Sequence, residues 1–208
     1  MNIAILGWGS LVWCPGSLRI RTRWRLDGPV LPIEFARISE DGRLTLVIHP
    51  GSAGQPTYWA LSEFADREEA RSNVCEREGS PLHAIHYLDL EGEAAEGILS
   101  GIRERVTKWL VQGKNIQAVI WTGLQSNWKE KRGSEFTPED GIRFLLDLEA
   151  EQDRAKAKYE RAREYVRNAP PGVDTAVRAA MRTRGWEDAG LPTILFETPC
   201  SQPSTESK

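Results

Sequence analysis

The sequence is poor in the residues that build disulfide frameworks and metal sites. Its 208 residues include three histidines and three cysteines, and the cysteines stand far apart at Cys14, Cys75 and Cys200. An odd number of widely spaced cysteines argues against a disulfide scaffold and against a paired-cysteine metal site. It favours a reducing compartment, so we expect a cytoplasmic protein without a bound metal.

Long apolar runs and a charge excess are also missing. No run approaches the roughly 18 apolar residues that a membrane-spanning helix needs, so we expect no membrane contact. The 27 Lys and Arg against 30 Asp and Glu leave a net charge of −3. Dedicated nucleic-acid binders usually carry a basic excess, so we expect no nucleic-acid partner. The opening segment, MNIAILGWGS, has no basic region and predicts a buried strand, not a signal peptide.

Tryptophan is the one residue in clear excess. Eight tryptophans indicate either a large aromatic core or a cleft with aromatic walls. The remaining composition, 40% hydrophobic and 27% charged, is typical of globular proteins and excludes a collagenous or wholly disordered chain. The length fits one domain.

Short apolar or alternating runs predict strands in the first two-thirds of the chain. One of these runs alternates four arginines with apolar or small residues, which is the period of a half-buried strand. An Asp41-Gly42 pair predicts a hairpin turn between two of the others. The predicted strands cover residues 3–6, 19–26, 33–38, 44–48, 58–61, 83–90 and 116–121.

Capping and stop residues predict the helices. Asp66 with Glu69 three residues later is typical of a helix start, and Thr137 followed by Pro138 is another. Gly79 predicts the end of the first of these helices. The predicted helices cover residues 66–77, 100–113, 137–168 and 174–185.

Because strands come first and helices last, we expect an α+β fold with a closed or strongly curved mixed sheet and outer helices. A doubly wound parallel sheet is disfavoured, since helices do not follow each strand. We expect one domain over residues 1–198, with a core at 2–122 and a helical C-terminal extension at 134–198. The polar residues 199–208 predict a disordered tail.

A glycine-rich turn follows the first predicted strand. The dinucleotide fingerprint would need a third glycine where Val12 stands, and Cys14 before a proline disfavours a helix there. Glycines let a backbone approach a ligand and expose N–H groups that hold a carboxylate. A tight turn that packs under Trp8 is the alternative.

This turn, GWGSL, resembles the YGSL/YGSN substrate loop of the γ-glutamyl cyclotransferase family. CEREG at residues 75–79 resembles the family segment that carries the catalytic glutamate. The segment of residues 34–48, containing FARISEDGRLTLV, is also similar to family members, and YVRNAPPGVDTAV at 165–177 is similar to tails of some bacterial members. The resemblance covers roughly residues 2–122. Trp8 departs from it, because the family often has tyrosine there.

The resemblance implies a small barrel-like sheet and release of 5-oxoproline from a small γ-glutamyl amine or peptide. One glutamate then acts as base and afterwards as acid, without cofactor, metal or covalent nucleophile. Glu78 is the implied catalytic residue, and Glu76 is its competitor. The implied substrate-binding residues are Gly7, Trp8, Gly9, Ser10, Leu11 and Tyr165.

Two other functions stay open at this point. A cyclotransferase-like fold without activity could serve as a binding or interaction module, and a homodimer is possible in either case. The arginine face of residues 19–25 could bind RNA or an acidic partner, although a solvated strand face is the simpler interpretation. His83 and His86 do not predict a metal site, because residues three apart on a strand point to opposite faces.

Overall fold

The computed structural model describes residues 1–112 and 114–190, and this part of the chain forms two small sheets and seven α-helices. The α+β class expected from the sequence is confirmed. The strands are β1 (Ile3–Gly7), β2 (Leu31–Ile38), β3 (Leu44–Ile48), β4 (Gly54–Gln55), β5 (Tyr58–Leu61), β6 (Ile85–Asp89) and β7 (Ala118–Thr122). The helices are α1 (Ser10–Trp13), α2 (Arg67–Glu78), α3 (Ser100–Leu110), α4 (Trp128–Arg132), α5 (Pro138–Ala150), α6 (Lys156–Arg167) and α7 (Ala176–Arg182).

The larger sheet has the strand order β5-β1-β7-β6. Its central pair, β1 and β7, is parallel, and both outer strands are antiparallel to their neighbours. Every residue of β1 is buried, as the short apolar run predicts. Because β1 and β7 run in the same direction, their carboxyl ends, Gly7 and Thr122, lie at the same edge of the sheet.

The smaller sheet is antiparallel, in the order β3-β2-β4. The predicted hairpin turn is confirmed between β2 and β3, where Gly42 adopts a φ of 78°. A register shift between Phe35 and Arg37 bends the pairing of these two strands. Among the described residues neither sheet closes on itself, so the expected barrel-like single sheet is replaced by two open ones.

The predicted strand at residues 19–26 is wrong as a continuous strand. Among the described residues the segment pairs through isolated bridges, which include those from Ile20 to Ser62 and from Arg25 to Trp59. Between them the Thr22 hydroxyl, not a main-chain carbonyl, accepts the Leu61 amide hydrogen at 2.9 Å. A side chain thus replaces part of the strand ladder, and the segment does not extend the sheet toward closure.

The start and end of α2 agree with the sequence. The Asp66 carboxylate accepts the amide hydrogens of Glu68 and Glu69 at 2.9 and 3.0 Å. Gly79 ends the helix in the left-handed conformation, at a φ of 58°. Asp66 and Gly79 therefore set the two ends of α2, and Glu78 is the last residue of the helix.

Other predicted helix boundaries shift. The helix predicted over 100–113 is α3 and has Leu99 at its N-cap position, and the helix predicted over 174–185 begins at Ala176, with Thr175 as its side-chain cap. The predicted strand at 83–90 begins later, because a 3₁₀ turn covers Leu82–Ala84.

The long helix expected over residues 137–168 is two helices, α5 and α6, joined by a turn. Each has an apolar face, and reversing the chain lets both faces pack on the smaller sheet, α5 against β2 and α6 against β3. The Tyr159 hydroxyl of α6 donates to the Glu149 carboxylate of α5 at 3.2 Å. Periodicity alone does not reveal this reversal, because the charged turn residues are also good helix formers.

One hydrophobic core joins the sheets to the C-terminal helices, and it extends from Ile3 to Trp186. Seven of the eight tryptophans expected in a core or cleft are buried, a set that includes Trp24, Trp121, Trp128 and Trp186. The tail at 199–208 and Cys200 lie outside the described residues. Within the described ranges, no helix has both the length and the apolar content needed to cross a membrane.

Candidate active site

A cavity of about 230 Å³ opens at the sheet edge where β1 and β7 end. Its walls come from the loop after β1, the C-terminus of α2, the β2–β3 hairpin and one side chain of α6. The volume lies below the roughly 300 Å³ typical of pockets for drug-sized molecules, so the cavity suits a small ligand. The lining residues that matter below are Gly7, Trp8, Gly9, Ser10, Leu11, Arg37, Ser39, Arg43, Arg77, Glu78, Thr122 and Tyr165.

Two glycines in the loop are required by close packing. A Cβ at Gly7 would lie 2.9 Å from a methyl of Val12 and 3.1 Å from the Trp24 ring. A Cβ at Gly9 would lie 2.9 Å from the Tyr165 hydroxyl oxygen. The loop therefore follows the surface of buried aromatic side chains and leaves its own backbone facing the cavity.

Glu78 is the last residue of α2, and its carboxylate faces this cavity. Its side chain is 17% exposed and accepts a hydrogen bond from the Arg77 guanidinium at 2.6 Å. Burial raises the pKa of Glu78, and the charge and hydrogen bond of Arg77 oppose that rise without cancelling it. The carboxylate thus combines partial burial, one charged partner and access to the cavity, which is the pattern of a functional acid or base.

Arg77 connects Glu78 to the glycine-rich loop. Its Nη2 donates to the Ser10 hydroxyl at 3.2 Å and to the Cys14 carbonyl at 2.5 Å. Its Nε donates to the Pro15 carbonyl at 3.3 Å. One side chain therefore fixes the position of the loop relative to the carboxylate.

Tyr165 reaches the same cavity from α6. Its ring packs edge-on against Trp13, with 5.1 Å between centroids, and the Arg43 guanidinium lies 5.4 Å from its centroid. Burial, together with the negative charge of Glu78, raises the pKa of Tyr165 to about 12. The hydroxyl therefore stays protonated at neutral pH and can donate a hydrogen bond.

The structure brings every predicted site residue into one cavity: the loop at residues 7–11, Glu78 and Tyr165 all line it. Their roles in chemistry stay predictions. Glu76, the competing glutamate, is exposed and does not line the cavity. Cys75 donates through its thiol to the Ser80 carbonyl at 2.7 Å and lies outside the lining.

Sequence reasoning missed the cationic part of the lining. Arg37, Arg43 and Arg77 face the cavity, together with the Thr122 hydroxyl, which is buried and has no hydrogen-bond partner among the described residues. The one sequence signal for this cationic lining was that Arg77 directly precedes Glu78. Arg37 and Arg43 flank the hairpin turn, but the sequence does not reveal that this hairpin folds over the loop after β1.

The remaining candidates lie elsewhere. His83 is exposed in the 3₁₀ turn, and His86 packs edge-on against Trp121 with 5.7 Å between centroids. Burial lowers the pKa of His86. The described ranges contain no cluster of three or more His, Cys, Asp or Glu side chains that could hold a metal ion.

The four arginines of residues 19–25 are exposed, as expected, and none lines the cavity. Arg19 pairs with Glu63 at 2.9 Å, and Arg25 approaches Asp27 at 3.7 Å. Acidic neighbours thus offset part of this basic face.

Comparisons of the chain with protein-family models, with curated proteins and with solved structures find no match.

Proposed function

We propose that this protein is a γ-glutamyl cyclotransferase-like enzyme that releases 5-oxoproline from a small γ-glutamyl compound, with Glu78 as general base and then general acid. The observation that carries the proposal is the position of Glu78. It is the one acidic side chain among the described residues that line the cavity, and it stands across from a glycine-rich loop.

In the first step the substrate's α-amine attacks its own γ-carbonyl carbon. The ammonium form cannot attack, so the amine first loses one proton to solvent and reacts in its neutral form. The Glu78 carboxylate takes a second proton from this nitrogen as the new C–N bond forms. Both reacting groups belong to one molecule, and the cavity contributes by holding the γ-glutamyl arm folded back on itself.

In the second step the bond between the γ-carbon and the leaving nitrogen breaks. The protonated Glu78 gives its proton to that nitrogen, which leaves as a neutral amine, and 5-oxoproline remains. The carboxylate returns to its starting state. No electrons are transferred to or from the protein in either step.

The surroundings of Glu78 suit both steps. A group that first takes and then returns a proton works best when its pKa lies near the working pH. Burial moves the pKa of Glu78 upward, toward that range, and the charge and hydrogen bond of Arg77 oppose the rise.

The loop and Tyr165 supply polar contacts for the substrate. In this proposal the backbone N–H groups of Gly9 and Leu11 hold the α-carboxylate, since no side chain caps this turn, while the Ser10 amide contacts the Tyr165 hydroxyl. A Tyr165 hydroxyl that stays protonated can donate to an oxygen of the substrate or of the tetrahedral intermediate. Trp8 lines the wall beside them.

The test is 5-oxoproline release from a panel of γ-glutamyl amino acids, peptides and amines, followed by mass spectrometry. Glu78→Gln keeps the shape and removes the base, and we expect a loss of about 10²–10⁴-fold. Glu76→Gln is the matched control, because it removes a charge two residues away on the same helix but outside the cavity, and it should keep full activity.

Two outcomes would contradict the proposal. Undiminished turnover by Glu78→Gln would remove Glu78 from the mechanism. Absence of product from the whole panel would favour the alternative function, a catalytically inactive binding module.

A further inference from the structure

We propose that Arg37, together with Arg43, forms a subsite for a second anionic group of the substrate, so that the leaving part carries a carboxylate. The preferred substrates are then γ-glutamyl amino acids or peptides with a free C-terminus, and not γ-glutamyl derivatives of simple amines. This inference rests on the proposed cyclotransferase function and narrows its substrate class.

The first step of the argument is the charge of the cavity. Three arginines line it against one glutamate, so the lining carries a formal excess of positive charge. Arg77 is already paired with Glu78 at 2.6 Å, and Arg43 is paired with Asp41 at 2.8 Å. Arg37 has no ion-pair partner among the described residues, and its Nη1 donates to a neutral acceptor, the Gln125 carbonyl, at 2.8 Å.

The second step is the position of this charge relative to Glu78. The substrate's α-amine and α-carboxylate are bonded to the same carbon, so both must lie between Glu78 and the loop, which the Arg77 guanidinium connects. Arg37, Ser39 and Arg43 belong to the β2–β3 hairpin, which is a different wall. That wall faces the remaining part of the substrate, which is the leaving group.

The third step is the chemistry of the leaving group. A guanidinium forms its strongest hydrogen bonds with a carboxylate, so an anionic group is the ligand that suits this wall best. A leaving group whose only charge is an ammonium, such as a diamine linked to glutamate through one nitrogen, would meet like charge at this wall. The geometry therefore favours a leaving group that carries a carboxylate.

The experiment compares γ-glutamyl-alanine with γ-glutamyl-alaninamide, which differ in one negative charge. For the unmodified protein we expect kcat/KM to be about tenfold to a hundredfold higher for the acid, since a hydrogen bond between charged groups has that value. Arg37→Gln should abolish the preference by lowering kcat/KM for the acid alone, and Arg37→Lys should retain part of it.

Arg161→Gln is the matched control. Arg161 approaches the same Asp41 at 3.7 Å but does not line the cavity, so this variant should keep the preference. A thermal unfolding scan of each variant shows whether it is folded. The ratio of kcat/KM for the acid to kcat/KM for the amide does not depend on the fraction of the protein that is active.

The outcomes separate the two proposals. Equal kcat/KM for acid and amide in the unmodified protein, or a preference that survives in Arg37→Gln, overturns the anionic subsite and leaves the cyclotransferase proposal standing. Absence of 5-oxoproline from both compounds, and from the wider panel, overturns the proposed function and this inference with it.

Discussion

Glu34 and Glu78 are both carboxylates for which burial raises the pKa, yet they lie in different surroundings. Glu34 lies on β2 under the N-terminus of α7 and is 2% exposed. Its two oxygens accept the amide hydrogens of Phe35 and Ala176 at 2.8 and 3.0 Å. It does not line the cavity described above, and its hydrogen bonds join a strand to a helix.

Glu78 has one charged partner and an open side. Arg77 occupies one oxygen, and the rest of the carboxylate faces the cavity. A raised pKa is therefore a feature that the two groups share, and it does not by itself identify a functional residue. The difference lies in the partners: fixed backbone donors hold Glu34 in place, whereas Glu78 retains acceptor capacity for a substrate.

The largest effect on stability should follow from Glu34→Ala. The change leaves two amides, those of Phe35 and Ala176, without their buried acceptor, and we expect the free energy of unfolding to fall by roughly 2 kcal/mol. Glu78→Ala should cost less than about 1 kcal/mol, because Arg77 keeps its other acceptors. Urea unfolding at neutral pH measures both, and equal losses would contradict the distinction.

The next effect concerns the loop opposite Glu78. In Gly9→Ala the new methyl would lie 2.9 Å from the Tyr165 hydroxyl oxygen, so the loop or the tyrosine must move. A displacement of this size typically costs up to about 10²-fold in kcat/KM, and adding Tyr165→Phe should restore part of the loss. Gly101→Ala is the control, since nothing lies within 4 Å of a Cβ there. Unimpaired turnover by Gly9→Ala would indicate that the substrate does not bind against this loop.

A third effect is on pH dependence. The base form of Glu78 is the carboxylate, so the rate should rise with pH through the raised pKa of Glu78. Arg77 opposes the effect of burial on that pKa, and Arg77→Gln should move the acidic limb of the kcat/KM profile to higher pH. Arg77→Lys retains the positive charge and should leave the acidic limb closer to its original position. If the limb does not move in Arg77→Gln, it reports the titration of a group other than Glu78.

The smallest effect should come from a third region, the arginine face. Arg21→Gln with Arg23→Gln changes two exposed side chains outside the cavity, so turnover should stay unchanged and nucleic-acid binding should stay at background. A gel-shift titration at two salt concentrations checks this. Tight, salt-sensitive binding that the double change abolishes would instead favour a nucleic-acid partner.

The sequence predicted the local parts of this structure well. The strand before Gly7, the Asp41-Gly42 hairpin and the cap at Asp66 each depend on a few adjacent residues, and all three are confirmed. The position of Glu78 at the end of α2 follows from the glycine after it. These features are set by local backbone preferences, which a single sequence expresses directly.

Features that depend on distant contacts were not predictable in the same way. Residues 19–26 have the alternation of a strand, but Thr22 replaces a ladder hydrogen bond with its side chain. Arg37 and Arg43 belong to the site because the second sheet folds beside the first. Nothing in the neighbouring sequence specifies that arrangement, so the cationic wall became visible only in three dimensions.

The most direct test of the account measures 5-oxoproline release per folded molecule for Glu78→Gln and Glu34→Gln side by side. We predict that Glu78→Gln unfolds like the unmodified protein but loses about 10²–10⁴-fold in turnover. Glu34→Gln should lose stability and keep the turnover of the molecules that remain folded. Full turnover by Glu78→Gln, or an equal loss of turnover in both variants, would contradict the assignment of chemistry to Glu78 and of structure to Glu34.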